Sequence, residues 1–385
     1  MKILHGTTLV TIVLVLVTAL PSCKATGANG EQTRQTAEVG AVSRIRNMST
    51  RRAAHTATLL PDGRVFVAGG FADGNNLANT EVFDSAKATF VNAASMSVAR
   101  TGHTATLLSN GKVLIAGGYN GNYLASAELY DPAANVFTPV KAMSAARSGH
   151  VATLLPNGKV LLVGGVGVDW TFLSSAEIFD PATNVFTPTS DMLVARESHT
   201  ATLLGNGKVL ITGGHRGRRP SVTIYSSTEI YDPASGRFTA GGEMTRIRHK
   251  HEAVLLADGR VLIAGGSDER DGSGAYANAE IYDPVAGTFR ATGNMNSARY
   301  KLQGTGVLLS DGKVLVAGGA NRAEVFDPAK STFSYAAGDM ETPRLFATAT
   351  LLRNGQVLII GGYHANSIAS ANAWLYRLEV NSNAR

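Results

Sequence analysis

The 385-residue chain contains 42 glycines, is 44% hydrophobic and 17% charged, and has no long run of like charges. This composition favours one repetitive β structure. The net charge of +6 is spread along the chain, without a Lys/Arg stripe interleaved with aromatic residues, so no nucleic-acid partner is expected. The single cysteine, Cys23, leaves no disulfide framework, thiolate zinc site or cysteine nucleophile for the folded body.

Residues 1–22 are predicted to be a signal peptide. Lys2 supplies a positive start, and residues 9–20 (LVTIVLVLVTAL) form an apolar core that is short for a membrane span. The core runs into LPSC, which resembles a bacterial lipoprotein box whose cysteine, here Cys23, becomes lipidated. We therefore expect export and lipid anchoring at Cys23 to the bacterial cell envelope, periplasmic or at the cell surface, or secretion if ordinary signal peptidase acts instead. Residues 23–40 hold almost no large apolar groups and are predicted to be a flexible tether.

A Gly-Gly doublet recurs seven times, each time at the end of an apolar run such as KVLIAGG. The doublets begin at residues 69, 117, 164, 213, 265, 318 and 361. Their spacing of 43 to 53 residues is typical of repeat architectures. An Asp-Gly or Asn-Gly pair precedes each doublet, and such pairs favour type I′ turns, so each repeat is predicted to open with a β-hairpin.

The second half of the repeat carries two further strands and a link. The third strand reads A-E-[IVL]-[YF]-D-P in several repeats, with Asp and Pro setting the next turn, and a phenylalanine marks the fourth strand. A Met-x-x-x-Arg link follows. The links span residues 48–52, 96–100, 143–147, 192–196, 244–248, 295–299 and 340–344. Four short strands in each of seven repeats predict a β-propeller.

These motifs resemble the kelch repeat family over residues 41–380. One departure is Phe in the fourth strand, where many kelch repeats place Trp; both are large apolar side chains between blades. The resemblance implies an all-β, seven-bladed β-propeller of kelch repeats with four antiparallel strands per blade. Residues 381–385 are expected to form a C-terminal tail.

The two ends of the propeller segment are predicted to close the ring. The seventh repeat runs through residues 371–380 and stops before any fourth-strand Phe. Val42 stands six residues before Met48, the offset that separates Phe137 from Met143. Residues 41–45 are therefore expected to supply the missing outer strand of the last blade.

Five repeats place a histidine fourteen residues before the doublet. These are His55, His103, His150, His199 and His251. One equivalent position in five blades is explained most simply by a scaffold role, so we expect structural hydrogen bonds from them. The HKHE run at 249–252 leaves chelation as an alternative, and SDERDGSG at 267–274 lacks the ligand spacing of a calcium loop. No metal site is predicted.

The loop between the second and third strands varies in length, whereas the first hairpin does not, and binding residues concentrate on variable loops over a rigid frame. A ligand is therefore expected on the face with these loops and the Met-to-Arg links, off-centre toward blades four to seven. In the first six repeats a Glu in the third strand is the presumed partner of the link Arg. In the seventh repeat Trp374 replaces that Glu, so Arg344 is expected beside an indole, an arrangement that suits an acidic or planar polar ligand.

Tyr363 and His215 each follow a doublet directly and are expected on the same rim. The predicted ligand-binding residues are Arg344, Trp374, Tyr363, His215 and Arg248. The alternative is that Trp374 and Arg377 only adapt the terminal blade to the N-terminal strand.

The resemblance implies a non-catalytic envelope binding module that captures a protein, peptide or glycan ligand. The alternative is a carbohydrate-active enzyme such as a sugar epimerase or mutarotase, with His215, Arg248, Arg344 and Tyr363 available for acid–base chemistry. Copper radical oxidases also occur among kelch-like propellers, but their cofactor needs a cysteine cross-linked to a tyrosine, and Cys23 lies outside the propeller. A spacer or assembly role in the envelope is a third possibility. No catalytic residue and no cofactor are assigned, and membrane contact is expected only through a lipid at Cys23.

Overall fold

The computed structural model describes residues 39–364 and 367–378. The predicted signal peptide, Cys23 with most of the tether, and the predicted tail lie outside these ranges. In the described part of the chain, no helix is long and apolar enough to cross a membrane.

The described residues form seven four-stranded antiparallel sheets, the blades of a propeller. Blade one comprises Thr56–Leu59, Val65–Ala68, Thr80–Asp84 and Thr89–Ala93. Blade two comprises Thr104–Leu107, Val113–Ala116, Ala127–Asp131 and Val136–Val140. Blade three comprises Val151–Leu154, Val160–Val163, Ala176–Asp180 and Val185–Pro188. Blade four comprises Thr200–Leu203, Val209–Thr212, Thr228–Asp232 and Arg237–Ala240. Blade five comprises Glu252–Leu255, Val261–Ala264, Ala279–Asp283 and Thr288–Ala291. Blade six comprises Gly306–Leu308, Val314–Val316, Glu324–Asp327 and Thr332–Tyr335. Blade seven comprises Leu345–Leu351, Val357–Tyr363 and Ala373–Arg377, with Ala41–Arg44 as its outer strand.

The loops that follow the doublets carry small elements of their own. Blades one and four each have a two-stranded ribbon there, and blades three and five each have one turn of 3-10 helix. The ribbons are Phe71–Ala72 with Asn75–Asn76 and His215–Arg216 with Thr223–Ile224; the helices are Val168–Trp170 and Asp271–Gly274.

The hydrophobic core lies between the blades. The second strand of each blade is an apolar run that is wholly buried, as in Val113–Ala116. Its side chains pack in clusters that combine neighbouring blades, for example Leu114 of blade two with Leu162 and Phe179 of blade three. Such burial stabilises each blade only through its neighbours, as expected for a repeat fold.

The first glycine of the doublet is required by this close packing. Gly117 has a φ of 64°, and a Cβ there would lie 2.5 Å from the carbonyl oxygen of Arg147 and 2.7 Å from Cε1 of His150 in the next blade. Any side chain at this position would push the two blades apart. The doublet is therefore a contact surface between blades as well as the end of a strand.

The ring closes as the sequence predicts. Ala41–Arg44 pairs antiparallel with Ala373–Arg377, with Val42 opposite Tyr376 and Arg44 opposite Trp374. Val42 is buried in the cluster between blades six and seven. The seventh blade is thus built from both ends of the propeller segment.

Candidate functional site

The first strands of the seven blades surround an axial channel. Their small side chains, mainly Thr and Ala, leave a cavity of about 620 Å³ along the axis. The cavity lining includes Glu197, Glu252 and Phe346, which break the Thr/Ala pattern. Glu197 stands just before the first strand of blade four, and Phe346 is the second residue of the first strand of blade seven. Both lie at the end of the channel that carries the doublets and the Met-to-Arg links, and this end is called the mouth below.

The repeat histidines are buried, and four of them tie their blade to the one before it. Nε2 of His103 lies 3.1 Å from Oγ1 of Thr56, and Nε2 of His150 lies 3.1 Å from Oγ1 of Thr104. Nε2 of His55 lies 3.0 Å from Oγ1 of Thr348, which extends the pattern across the ring closure. This geometry agrees with the structural hydrogen bonds expected from the sequence.

The link arginines of the first six repeats are buried in ion pairs with the Glu of the third strand. The N–O distances are 2.6 to 3.1 Å in the pairs Arg52–Glu81, Arg100–Glu128, Arg147–Glu177, Arg196–Glu229, Arg248–Glu280 and Arg299–Glu324. Arg248, predicted to contact a ligand, is fully buried and also donates to the carbonyl oxygen of Gly265 at 2.7 Å. Its guanidinium therefore lies inside blade five, where it fixes the doublet, and not at the mouth.

Blade seven shows the expected contact between Arg344 and Trp374. The guanidinium carbon lies 4.7 Å from the indole centroid, and the side chain donates to the carbonyl oxygen of Met340 at 2.9 Å. Trp374 is only 1% exposed and belongs to the core between blades six and seven, while Arg344 is 3% exposed. Both side chains are therefore packed inside blade seven beside the closing strand. This placement agrees with the alternative interpretation, in which Trp374 adapts the terminal blade to the N-terminal strand.

His215 belongs to a chain of titratable side chains at the mouth, over blades four and five. Its Nδ1 lies 3.1 Å from Nδ1 of His249, and its Nε2 lies 3.6 Å from Oε2 of Glu197. On the far side, Nε2 of His249 lies 3.8 Å from Oδ1 of Asp271, to which Lys250 donates at 2.6 Å. Two of these contacts are hydrogen bonds, His215 with His249 and Lys250 with Asp271, and the five side chains together offer a polar ligand both donors and acceptors.

Tyr363 lies at the mouth over blade seven and holds a second ammonium group. Lys301 donates to the Tyr363 hydroxyl at 2.5 Å. The Lys301 nitrogen is 5.1 to 5.3 Å from the ring centroids of Tyr300, Phe346 and Tyr363. Among the described residues, no carboxylate lies in ion-pair contact with Lys301. We call these two groups of side chains together the mouth cluster: Glu197, His215, His249, Lys250, Asp271, Lys301 and Tyr363.

Burial shifts the pKa values in the mouth cluster. It raises the pKa of Glu197 despite nearby cations, and it lowers the pKa of His215 to about 3 and that of His249 to about 4. Burial also lowers the pKa of Lys250 more than Asp271 raises it. For Lys301 burial is again the largest single cause and lowers the pKa, but the hydrogen bond to Tyr363 together with the electrostatic contributions of Tyr363, Tyr300 and Asp271 raises it overall. At neutral pH the imidazoles are therefore neutral and Lys301 is charged.

Three positions of the repeat supply almost the whole cluster: the residue after the doublet and the two residues after the link Arg. Sequence reasoning used the first of these to select His215 and Tyr363, and missed Glu197, Lys250 and Lys301. A comparison of the two positions after the link Arg contains the missing signal. They read Ala-Ala, Thr-Gly and Ser-Gly in blades one to three, then Glu-Ser, His-Lys, Tyr-Lys and Leu-Phe in blades four to seven.

The HKHE run is divided between two environments. His249 joins the mouth cluster, whereas Nε2 of His251 lies 2.8 Å from Oγ1 of Thr212 inside blade four. In the described ranges, no group of three or more His, Cys, Asp or Glu side chains is arranged to hold a metal ion.

Comparison with known proteins supports the fold. The Kelch motif model matches residues 52–97, 100–144 and 147–193, and no curated protein sequence matches the chain. Among solved structures, a fungal alcohol oxidase of the AA5 family in complex with copper is similar, with a TM-score of 0.67 and 18% sequence identity over 89% of this chain and 76% of that one. At this identity the likeness concerns the fold alone. The chain is a seven-bladed β-propeller with kelch motifs in its first three repeats.

Proposed function

We propose that this propeller is a non-catalytic binding module that captures a protein, peptide or glycan ligand at the mouth, over blades four to seven. One observation carries the proposal: the charged side chains after the link Arg are confined to blades four to six. The same positions in blades one to three hold Ala, Thr, Ser or Gly. Since those blades fold equally well without charges there, the scaffold does not require them.

Binding at the mouth is tested by substitutions there. Glu197→Gln and His215→Ala should each weaken a ligand found by thermal shift in a panel of neutral sugars, acidic sugars and peptides. A ligand at 100 times its Kd stabilises the native state by about 2.7 kcal/mol, so the shift is measurable. Ser148→Ala, which changes the Glu197-equivalent residue of blade three, is the matched control. Undiminished binding by both mouth variants would place the ligand elsewhere.

We also propose that the protein is exported and lipid-anchored at Cys23 to a bacterial envelope. The position of this lone cysteine directly after the apolar core supports the proposal. Expressed in a bacterium, the wild type should incorporate labelled fatty acid and fractionate with membranes, and Cys23→Ser should do neither. A mature N-terminus beyond residue 23 would instead indicate ordinary cleavage and secretion.

The second candidate function is a sugar epimerase or mutarotase, and the pair Glu197–His215 favours it. A carboxyl with a raised pKa can donate a proton, and a neutral imidazole can accept one. Opening a sugar ring needs a proton given to the ring oxygen and one removed from the anomeric hydroxyl. Polarimetry of freshly dissolved aldoses tests this function: acceleration lost in both Glu197→Gln and His215→Ala would establish catalysis, and no acceleration by the wild type would reject mutarotation of those sugars.

A further inference from the structure

The second residue after the link Arg has a left-handed backbone in all seven blades. The residues are Ala54, Gly102, Gly149, Ser198, Lys250, Lys301 and Phe346, with φ between 49° and 63°. Blades two and three use glycine, which accepts this conformation without steric cost. Lysine does not, because its Cβ crowds the backbone there. Lys250 and Lys301 are therefore held in a conformation that glycine would adopt more easily, and strain of this kind concentrates at functional sites.

The two lysines are neighbours in the backbone ring around the channel. The amide of Leu302 donates to the carbonyl oxygen of Lys250 at 3.3 Å, and the amide of Phe346 donates to that of Lys301 at 3.1 Å. Lys250 is compensated by Asp271, whereas Lys301 has a phenol and three aromatic rings around it. The mouth therefore presents one ammonium group without an acidic partner among the described residues, and an anionic ligand group is its natural complement.

The surroundings of Lys301 define the rest of the ligand. The rings of Phe346 and Phe71 each lie 6.0 Å from that of Tyr363, so aromatic surface lies next to the cation. Glu197 and His215 add hydrogen-bonding groups that suit hydroxyls. Glu197 and Phe346 also line the 620 Å³ cavity, whose size fits a small ring compound.

Building on the proposed binding function, we infer that the ligand is an acidic saccharide of the hexuronate type, whose carboxylate binds Lys301 and whose ring lies against the aromatic side chains. A strongly acidic peptide is disfavoured because only one of the two lysines is uncompensated. In this arrangement Lys250 keeps Asp271 in place and adds to the positive potential at the mouth.

Substitutions at Lys301 and Lys250 separate the contribution of the charge from that of the strained backbone. Lys301→Gly and Lys250→Gly remove the cation and relieve the backbone, so Lys301→Gly should fold at least as stably as the wild type. In Lys250→Gly the loss of the ion pair with Asp271 offsets part of this gain. Ala54→Gly, at the same position of blade one, is the control for backbone relief alone. Lys301→Met keeps the strain and the apolar stem but removes the charge. The probes are glucuronate, galacturonate and their oligomers, with glucose, galactose and triglutamate for comparison, all measured by calorimetry.

We expect uronates to bind the wild type and Ala54→Gly at least tenfold more tightly than the neutral sugars or triglutamate. Lys301→Gly and Lys301→Met should lose this preference, and Lys250→Gly should reduce it. If another ligand binds at the mouth and the lysine variants bind it equally well, the acidic-saccharide inference is wrong while the binding function stands. If the uronates do not bind and no other ligand class does, both proposals fail.

Discussion

Val151 shows how one side chain alters a repeated contact. Four repeat histidines have a Thr hydroxyl on the first strand of the preceding blade within 3.0 to 3.3 Å. The equivalent position opposite His199 is Val151, and neither ring nitrogen of His199 has a side-chain hydrogen-bond partner. A buried polar group without a partner costs about 1 to 3 kcal/mol.

Val151→Thr should therefore stabilise the protein by about 1 kcal/mol, because it gives His199 the hydroxyl that the other blades already provide. The free energy of unfolding in urea measures the effect. Thr104→Val is the mirror control and should destabilise by a similar amount, since it leaves His150 without its partner. A loss of stability in Val151→Thr would mean that His199 needs an apolar neighbour.

Glu252 connects blades five and six and gives the fold a pH dependence. Its carboxylate accepts hydrogen bonds from the amides of Thr305 and Gly306, both at 2.8 Å, where blade six lacks the repeat histidine. Burial nevertheless raises its pKa to about 7 from 4.5. The folded state therefore holds a proton that the unfolded state releases between these values, and stability falls as pH rises across this window.

Relative to Glu252→Gln, the wild type should lose about 3 kcal/mol of stability between pH 5 and pH 8. Urea unfolding of both proteins at several pH values gives the difference, and the titration of the buried histidines cancels between them. Glu269→Gln, at an exposed loop position, should leave the pH profile of the wild type unchanged. A constant difference between wild type and Glu252→Gln would mean that Glu252 does not titrate in this range.

At the scale of the element, one ion pair holds the Met-to-Arg link through hydrogen bonds near its start and at its Arg. In blade one Glu81 accepts from the amides of Ser49 and Thr50, while Arg52 binds both Glu81 and the carbonyl oxygen of Gly69. The repeat pattern predicts this pairing because Arg and Glu recur at fixed positions. Removing one member of such a pair leaves a buried charge and is strongly destabilising.

The same repeat pattern explains what sequence reasoning could not supply. Turns, doublets and buried strands recur seven times, so the architecture and the closing strand were predictable. The ion-pair partner of Lys250 was not predictable, because Asp271 lies in a 3-10 turn of a loop whose length differs from those of the neighbouring blades. The contact between Trp374 and Arg344 was predicted correctly. The burial of the indole was not, because it results from pairing with the closing strand and the repeat period does not reveal it.

At the scale of the molecule, stability depends on the outer strand of blade seven. Deleting residues 41–47 removes Ala41–Arg44 and with it the burial of Val42 and part of that of Trp374. We expect a loss of at least about 3 kcal/mol in the free energy of unfolding and a broader transition, because an open ring lacks one blade contact. Deleting residues 24–30 from the predicted tether is the control and should leave the transition unchanged. Equal stability of the two deletions would show that the ring holds without this strand.

The closing strand also sets the order of events in folding. The Ser43 hydroxyl donates a hydrogen bond to the carbonyl oxygen of Leu375, 332 residues further along the chain. Neighbouring blades can therefore assemble one after another before this contact forms. Contacts between such distant residues form late, since the entropy of closing the loop is lost before any packing is gained. During synthesis, the N-terminal strand therefore has no partner strand in blade seven until residues 373–377 emerge. The proposed export would benefit from this delay, because no complete ring exists before its last strand is available.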